Sequence, residues 1–200
     1  MTTILQLNNS IFGDEGQSSR LADEFVARLR ELEPDARVIR RDLAKSALPH
    51  LTADRFKAAL TAPAERTPEQ AREAALADTV IEELEAADVL LIAAPLYNFH
   101  ISSTLKAWFD HAARAGKTFR YSENGPEGLL RGKAAYVFAT SGGQYTGTDL
   151  DFQTPYIRHM LGFLGIDNVH FIHAEGLAMG DEVSRTAMDE AHSTIRRLAA

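Results

Sequence analysis

Two short stretches, VLLIAA at 89–94 and AAYVFA at 134–139, place no charged side chain on either alternating face. A strand with one wet face alternates apolar and polar residues; these do not. Such runs suit parallel strands covered by helices on both sides, which restricts the chain to an α/β architecture. Three further strand candidates accompany them: Thr3–Asn8, Arg37–Leu43 and Val169–Ala174. Arg37–Leu43 is amphipathic and reads as an edge strand. The intervening segments read as helices. Leu21, Phe25, Leu29 and Leu32 recur at helical spacing after Ser18-Ser19, which reads as a cap. Thr67-Pro68-Glu69-Gln70 is a capping box with Pro at the first helical position, and Leu76, Val80 and Leu84 form the stripe beyond it. Ser102 or Ser103 caps a helix carrying Leu105, Trp108, Phe109 and Ala112. Thr154-Pro155 opens another, with Tyr156, Met160, Phe163 and Leu164 on one face and Gly165 as its C-cap. Val183 to Leu198 forms the last.

Strands alternating with helices, joined by right-handed crossovers, give a three-layer α/β sandwich. Five strands favour the flavodoxin-like parallel order 2-1-3-4-5 in a single domain spanning 1–200. A ligand then binds where the order reverses, outside the carboxyl ends of strands one and three. This sets Asn9–Ser18 beside Pro95–Ser102. Two connections are long: Ala44–Arg66, with a short helix near Ala53–Leu60, and Gly116–Gly132, which has little periodicity. Connections of that length are functional or mobile more often than not.

Composition removes several classes of function. Cysteine is absent, so disulfides, thiolate metal sites, Cys nucleophiles and iron–sulfur clusters are excluded. The net charge of −7 argues against a nucleic-acid surface. No basic segment followed by a long apolar run opens the chain, and no run approaches the ~20 residues a membrane span needs, so a cytoplasmic protein without a membrane partner is expected.

Three loops carry the chemistry. In NNSIFGDEGQSSRL, Ser10 stands at a strand exit and Gly16-Gln17-Ser18-Ser19 leads into a helix. Helix N-terminal amides with hydroxyls beside them form an anion site; a plain capped helix is the alternative. The loop lacks G-x-G-x-x-G, which weighs against a Rossmann dinucleotide site. In PLYNFH, Tyr97 and Phe99 can wall a planar ligand and Asn98 can meet a heterocycle edge with donor and acceptor; packing of both aromatics into the core is the alternative. In ATSGGQYTG, Gly142 and Gly143 let backbone amides approach a ligand closely; a simple glycine turn is the alternative. Together the loops describe a groove with a phosphate at one end and a flat ring at the other, a description that FMN fits.

Other patterns fail on inspection. Ala139-Thr140-Ser141-Gly142-Gly143 lacks the first glycine of a nucleophile elbow, and no helix follows it. Gly116-Lys117-Thr118 follows a helix, where a phosphate-binding loop follows a strand. His170 and His173 sit at odd spacing on one strand and face opposite sides, so no metal site is expected.

The chain resembles the FMN-dependent NADH:quinone oxidoreductases, also called FMN-dependent azoreductases, along its whole length. The resemblance rests on Pro95-Leu96-Tyr97-Asn98-Phe99 with Ile101-Ser102, Ala113-Arg114-Ala115-Gly116 with Thr118-Phe119-Arg120-Tyr121, and Glu123 through Leu129. Gly142-Gly143, Thr154-Pro155-Tyr156, Leu161-Gly162-Phe163 and Ala174-Glu175-Gly176 extend it. It implies that Ser10, Gly16, Gln17 and Ser18 hold the FMN phosphate. It implies that Leu96, Tyr97, Asn98 and Phe99 line the isoalloxazine, and that Thr140, Ser141, Gly142 and Gly143 meet its far end. The family commonly has Ser at position 9, Ser at 140 and Arg at 141, where this chain has Asn9, Thr140 and Ser141. The resemblance further implies a homodimer with active sites at the subunit interface. Phe119 and Tyr121 would reach towards the partner's flavin, and Phe152 and Phe163 would complete a pocket for planar aromatic substrates, quinones and azo compounds.

The implied reaction is two-electron transfer from NADH or NADPH through FMN to the acceptor, with ping-pong kinetics because both flat substrates use one ring face. Asn98 would stabilise charge on the reduced ring. His100 would supply a proton, since an unperturbed imidazole titrates near pH ~6.5. A flavodoxin-type electron carrier with no organic substrate of its own is the competing reading.

Overall fold

Apolar strand runs and capped helices alternate in the computed structural model, which describes residues 1–199. In chain order the elements are β1 (Thr3–Asn8), α1 (Gln17–Leu32), β2 (Arg37–Asp42), α2 (Ala53–Leu60), α3 (Pro68–Ala86), β3 (Val89–Pro95) and α4 (Ser103–Ala112). There follow β4 (Phe119–Ser122), β5 (Gly125–Gly128), β6 (Ala134–Thr140), α5 (Gln153–Leu164), β7 (Asn168–Ala174) and α6 (Asp181–Leu198). Five strands form one parallel sheet in the order β2-β1-β3-β6-β7. This numbering differs from the expected 2-1-3-4-5 because two short strands intervene in the sequence.

The sheet buries both faces. Leu5, Leu7, Leu90, Ile92 and Val137 point to one side, where Val80 and Leu84 of α3, Leu105 and Trp108 of α4, and Ile157 and Leu161 of α5 cover them. Ile4, Leu91, Ala93, Phe138 and Ile172 point to the other, against Leu21 and Phe25 of α1 and Ala191 and Ile195 of α6. Alternate residues of one strand thus serve two cores, which is why β3 and β6 tolerate no charge.

Several helix ends follow the local rules. Thr67 and Gln70 make both bonds of a capping box, Ser102 accepts from Leu105 N, and Gly165 ends α5 at φ 98°, in the left-handed region. The starts of α5 and α6 have no side-chain cap, and neither has that of α1. The N-cap of α1 is Gly16, and Ser18 and Ser19, expected as the cap, lie inside the first turn.

The Gly116–Gly132 connection is not irregular. Residues 119–128 form the antiparallel hairpin β4–β5. Its base is pressed onto the end of α5: a Cβ on Gly128 would lie 2.0 Å from Gly165 N, and Leu130 N donates to Leu164 O at 2.9 Å.

Candidate functional site

β3 and β6 end level with each other, and β1 ends two residues short of them. Asn8 pairs with Ala93, and Pro95 with Thr140, so the loops after these strands leave the sheet side by side. Leu96 N donates to Thr140 O at 2.8 Å and fastens the second loop to the third.

The first loop closes around Ser10. Its side chain is buried, Phe12 N donates to its Oγ at 3.2 Å, and a Cβ on Gly16 would come within 2.2 Å of that oxygen. Gly16 has an ordinary extended backbone, φ −67° and ψ 136°, so glycine is required here by space alone. Behind it, α1 presents first-turn amides that no side chain caps. Ser18 Oγ and Ser19 Oγ are buried and have no hydrogen-bond partner among the described residues. Buried hydroxyls are ordinarily paired. An anion at this helix end would satisfy amides and hydroxyls together.

In the second loop, Tyr97 N donates to His100 O at 2.9 Å and His100 N donates to Tyr97 O at 3.1 Å. The two residues between them both have positive φ, Asn98 at 49° and Phe99 at 65°, the pattern of a type I′ turn. Asn tolerates that region, whereas Phe bears about 1–2 kcal/mol of steric strain there. Phe99 is 46% exposed, so it does not serve the core. Strain at an exposed aromatic marks a residue displayed rather than packed. Phe99→Gly should therefore leave the melting temperature within about 4 °C of the parent, because strain relief offsets the lost contact. A loss approaching the ~3–5 kcal/mol of a truncated core aromatic would show instead that Phe99 is packing. Tyr97 turns its phenol back to the first loop: Ile11 N donates to Tyr97 Oη at 3.1 Å, and Ser10 Oγ lies 3.4 Å from it. His100 accepts from Ile101 N through Nδ1 at 2.9 Å, which leaves Nε2 to carry the proton of the neutral ring. Its ring sits 4.8 Å from Tyr156.

The third loop carries Thr140 and Ser141, both buried, then Gly142 and Gly143. It is zipped to the chain after β7: Leu177 N donates to Ser141 O at 3.1 Å, Ala178 N to Gly142 O at 3.0 Å and Gly176 N to Gly143 O at 2.9 Å. Ser141 Oγ donates to Gly143 O at 2.7 Å.

The comparisons with known proteins agree with this geometry. A family model described as the flavodoxin-like fold matches residues 2–198. An "FMN-dependent NADH:quinone oxidoreductase 6" from Burkholderia lata is 50% identical over 195 residues, 98% of either chain. The chain belongs to the FMN-dependent NADH:quinone oxidoreductase family. A crystal structure of an azoreductase from Bacillus anthracis Sterne superimposes with a TM-score of 0.90 at 27% identity, covering 100% of this chain and 99% of that one. An FMN-dependent NADH-azoreductase from Bacillus anthracis Ames Ancestor, in complex with FMN, gives 0.87 at 28% identity with full coverage of both.

Within this FMN-dependent NADH:quinone oxidoreductase fold, nine of the twelve residues expected to line a cofactor groove fall on the three adjoining loops, Gln17 and Ser18 on the first turn of α1 and Thr140 on the last residue of β6. The departures at 9 and 141 have local explanations. Asn9 is buried and spoken for: its Nδ2 donates to Ala93 O, and its Oδ1 accepts from Ser102 Oγ at 3.1 Å. It joins β1 to β3 and to the cap of α4. Ser141 is engaged by Gly143 O. The expected pocket aromatics divide. Phe119 packs on Phe163, ring centroids 4.4 Å apart, and edge-on to Tyr121 at 5.5 Å. Phe152 stands apart at the start of α5, 52% exposed. Gln153 Nε2 donates to Pro95 O at 3.2 Å, so α5 begins at the groove. Ten residues on from Gln153, Phe163 lies roughly 15 Å away, at about 1.5 Å per residue. Two residues were missed: Tyr145, edge-on to Phe99 at 5.5 Å, and Glu175, which accepts from the amides of Tyr145 and Thr146. Their sequence signals were position, in the loops leaving β6 and β7, and for Glu175 its place in the Ala174-Glu175-Gly176 segment.

Proposed function

We propose that this chain is a cytoplasmic, single-domain FMN-dependent NADH:quinone oxidoreductase that also cleaves aromatic azo compounds reductively. The observation that carries the reading is the start of α1, an uncapped helix end with the buried, unpartnered Ser18 Oγ beside the Gly16 cradle. Those groups fit a phosphate, and the exposed turn at Asn98 and Phe99 fits a flat ring beyond it, so the residues present fit FMN. Bound FMN supplies the two-electron redox chemistry between nicotinamide and acceptor. Ser10, Gly16, Gln17 and Ser18 hold the phosphate end. Leu96 to Phe99 wall the ring, and Thr140 to Gly143 close its far side. Asn98, exposed at the turn, offers its amide to the ring edge. His100 keeps a proton at Nε2, available to an acceptor.

A homodimer with shared sites is part of this reading. Tyr121 is 75% exposed on its hairpin and, with Phe119 and Phe163, lies remote from its own groove. The same two hairpin residues border a cavity of about 290 Å³ with Leu51, Phe56 and Leu60, all three exposed. A second copy gives these side chains both a cover and a ring site to complete. No helix among the described residues is long and apolar enough to cross a membrane.

The test is direct. Purified protein, reconstituted with FMN, should be yellow, bleach on NADH and recover on menadione. Initial rates should give parallel double-reciprocal lines, because nicotinamide and quinone alternate at one place. A protein that takes up no FMN would falsify the reading. One that takes it up but passes electrons only to another protein would favour the electron carrier.

A further inference from the structure

We propose that Glu175, the residue following β7, is a positioning residue for the ring wall and acts through Tyr145. The proposal rests on the reading of the groove as a ring site. One carboxylate oxygen of Glu175, Oε1, accepts from Tyr145 N at 2.8 Å and from Thr146 N at 3.0 Å, with Ser141 Oγ at 3.3 Å. Successive amides converging on one oxygen form a small anion nest, here filled from within the chain. A carboxylate suits it because it only accepts; an amide side chain has to be turned the right way round. Thr146 Oγ1 adds a second tie to β7, 3.0 Å from His173 Nδ1.

The tie matters through what Tyr145 does. Its ring meets Phe99 edge-on, with centroids 5.5 Å apart and planes at 76°. Its hydroxyl lies over Gly143, where a Cβ would fall 2.7 Å from it. Phe99 stands on a strained backbone with nearly half its surface exposed, so it depends on a neighbour to fix its ring. Glu175 sets the 144–146 segment, that segment sets Tyr145, and Tyr145 sets Phe99. The gap into which a flat acceptor slides is therefore defined by a carboxylate that does not touch the acceptor. Small displacements of such a wall are felt in substrate positioning.

Two substitutions and two measurements decide this. In protein without cofactor, Glu175→Ala should raise hydrogen exchange across residues 144–150 by about ten-fold or more, while Glu175→Gln, which keeps an acceptor, stays within about three-fold of the parent. In FMN-loaded enzyme, Glu175→Ala should raise KM for menadione about five-fold or more, with FMN affinity within about three-fold because the phosphate end is untouched. Glu175→Gln should restore KM. A merely structural role lowers the melting temperature without this split or this rescue. Unchanged exchange in Glu175→Ala, or a KM no different from the parent, overturns the proposal. If Glu175→Ala is insoluble, Tyr145→Leu replaces it: KM for menadione rises and exchange of the loop does not, and an unchanged KM overturns the proposal. A parent protein that neither binds FMN nor oxidises NADH defeats the functional reading alone, since the exchange comparison needs no cofactor.

Discussion

Gly16→Ala should weaken FMN binding by about thirty-fold or more, roughly 2 kcal/mol, while leaving the fold intact. The added methyl would stand 2.2 Å from Ser10 Oγ and 2.5 Å from Ser10 Cβ. Ser10 has little freedom to withdraw, being buried, bonded to Phe12 N and facing the Tyr97 phenol. The loop must open or the serine must swing into the space where the phosphate would sit, and either change removes ligand contacts. Backbone strain plays no part, because φ −67° and ψ 136° suit alanine as well as glycine. The melting temperature of the cofactor-free protein should fall by a few degrees, since overpacking against a buried side chain costs about 1–3 kcal/mol, only partly offset by the trimmed unfolded ensemble. Titration of cofactor-free protein with FMN, followed by flavin fluorescence, checks this. A parental dissociation constant in the alanine variant would remove Gly16 from the site.

Gly128→Ala should have the larger effect on stability. Its Cβ would lie 2.0 Å from Gly165 N and 2.4 Å from Gly165 Cα, backbone atoms that cannot rotate aside. Gly165 cannot yield by changing conformation, because it ends α5 at φ 98°. Overpacking of this kind costs about 1–3 kcal/mol against side chains and more against backbone. For a chain of this length about 3 kcal/mol lowers the melting temperature by roughly 6–12 °C. The hairpin should lift from α5 and take Phe119 and Tyr121 with it. Under the dimer reading, Gly128→Ala also loses quinone reductase activity and dissociates at lower dilution in sedimentation, while still binding FMN through the distant first loop. A melting curve like the parent's would show that the hairpin is not seated as described.

These two glycines also mark where the sequence was legible and where it was not. Four of the five sheet strands could be read because they bury apolar residues, and β2 through Val38 and Ile39, its two half-buried apolar positions; the capping box at Thr67 is a purely local bond pattern. The hairpin could not. FRYS and GPEG are four residues each, alternate weakly and contain a proline, and they are ordered by contact with α5, which lies later in the chain. Ser18-Ser19 looked like a cap because those residue types favour caps; the cap is instead Gly16, two residues before Ser18, which leaves both hydroxyls unpaired among the described residues. The groove loops were legible through their place after β1, β3 and β6. Glu175 and Tyr145 were not, because their roles arise only when β6 and β7 lie side by side.

The bare start of α1 has a consequence for folding. A glycine N-cap forgoes only about a few tenths of a kcal/mol, but each desolvated hydroxyl left unpaired adds about 1–3 kcal/mol. Such local frustration does not help the chain reach its fold and persists only because the rest of α1 packs on the sheet through Leu21 and Phe25. The first turn of α1 is then a weak spot in an otherwise well-satisfied element. Whatever occupies that helix end sets how firmly the turn is wound, so occupancy and local order rise and fall together.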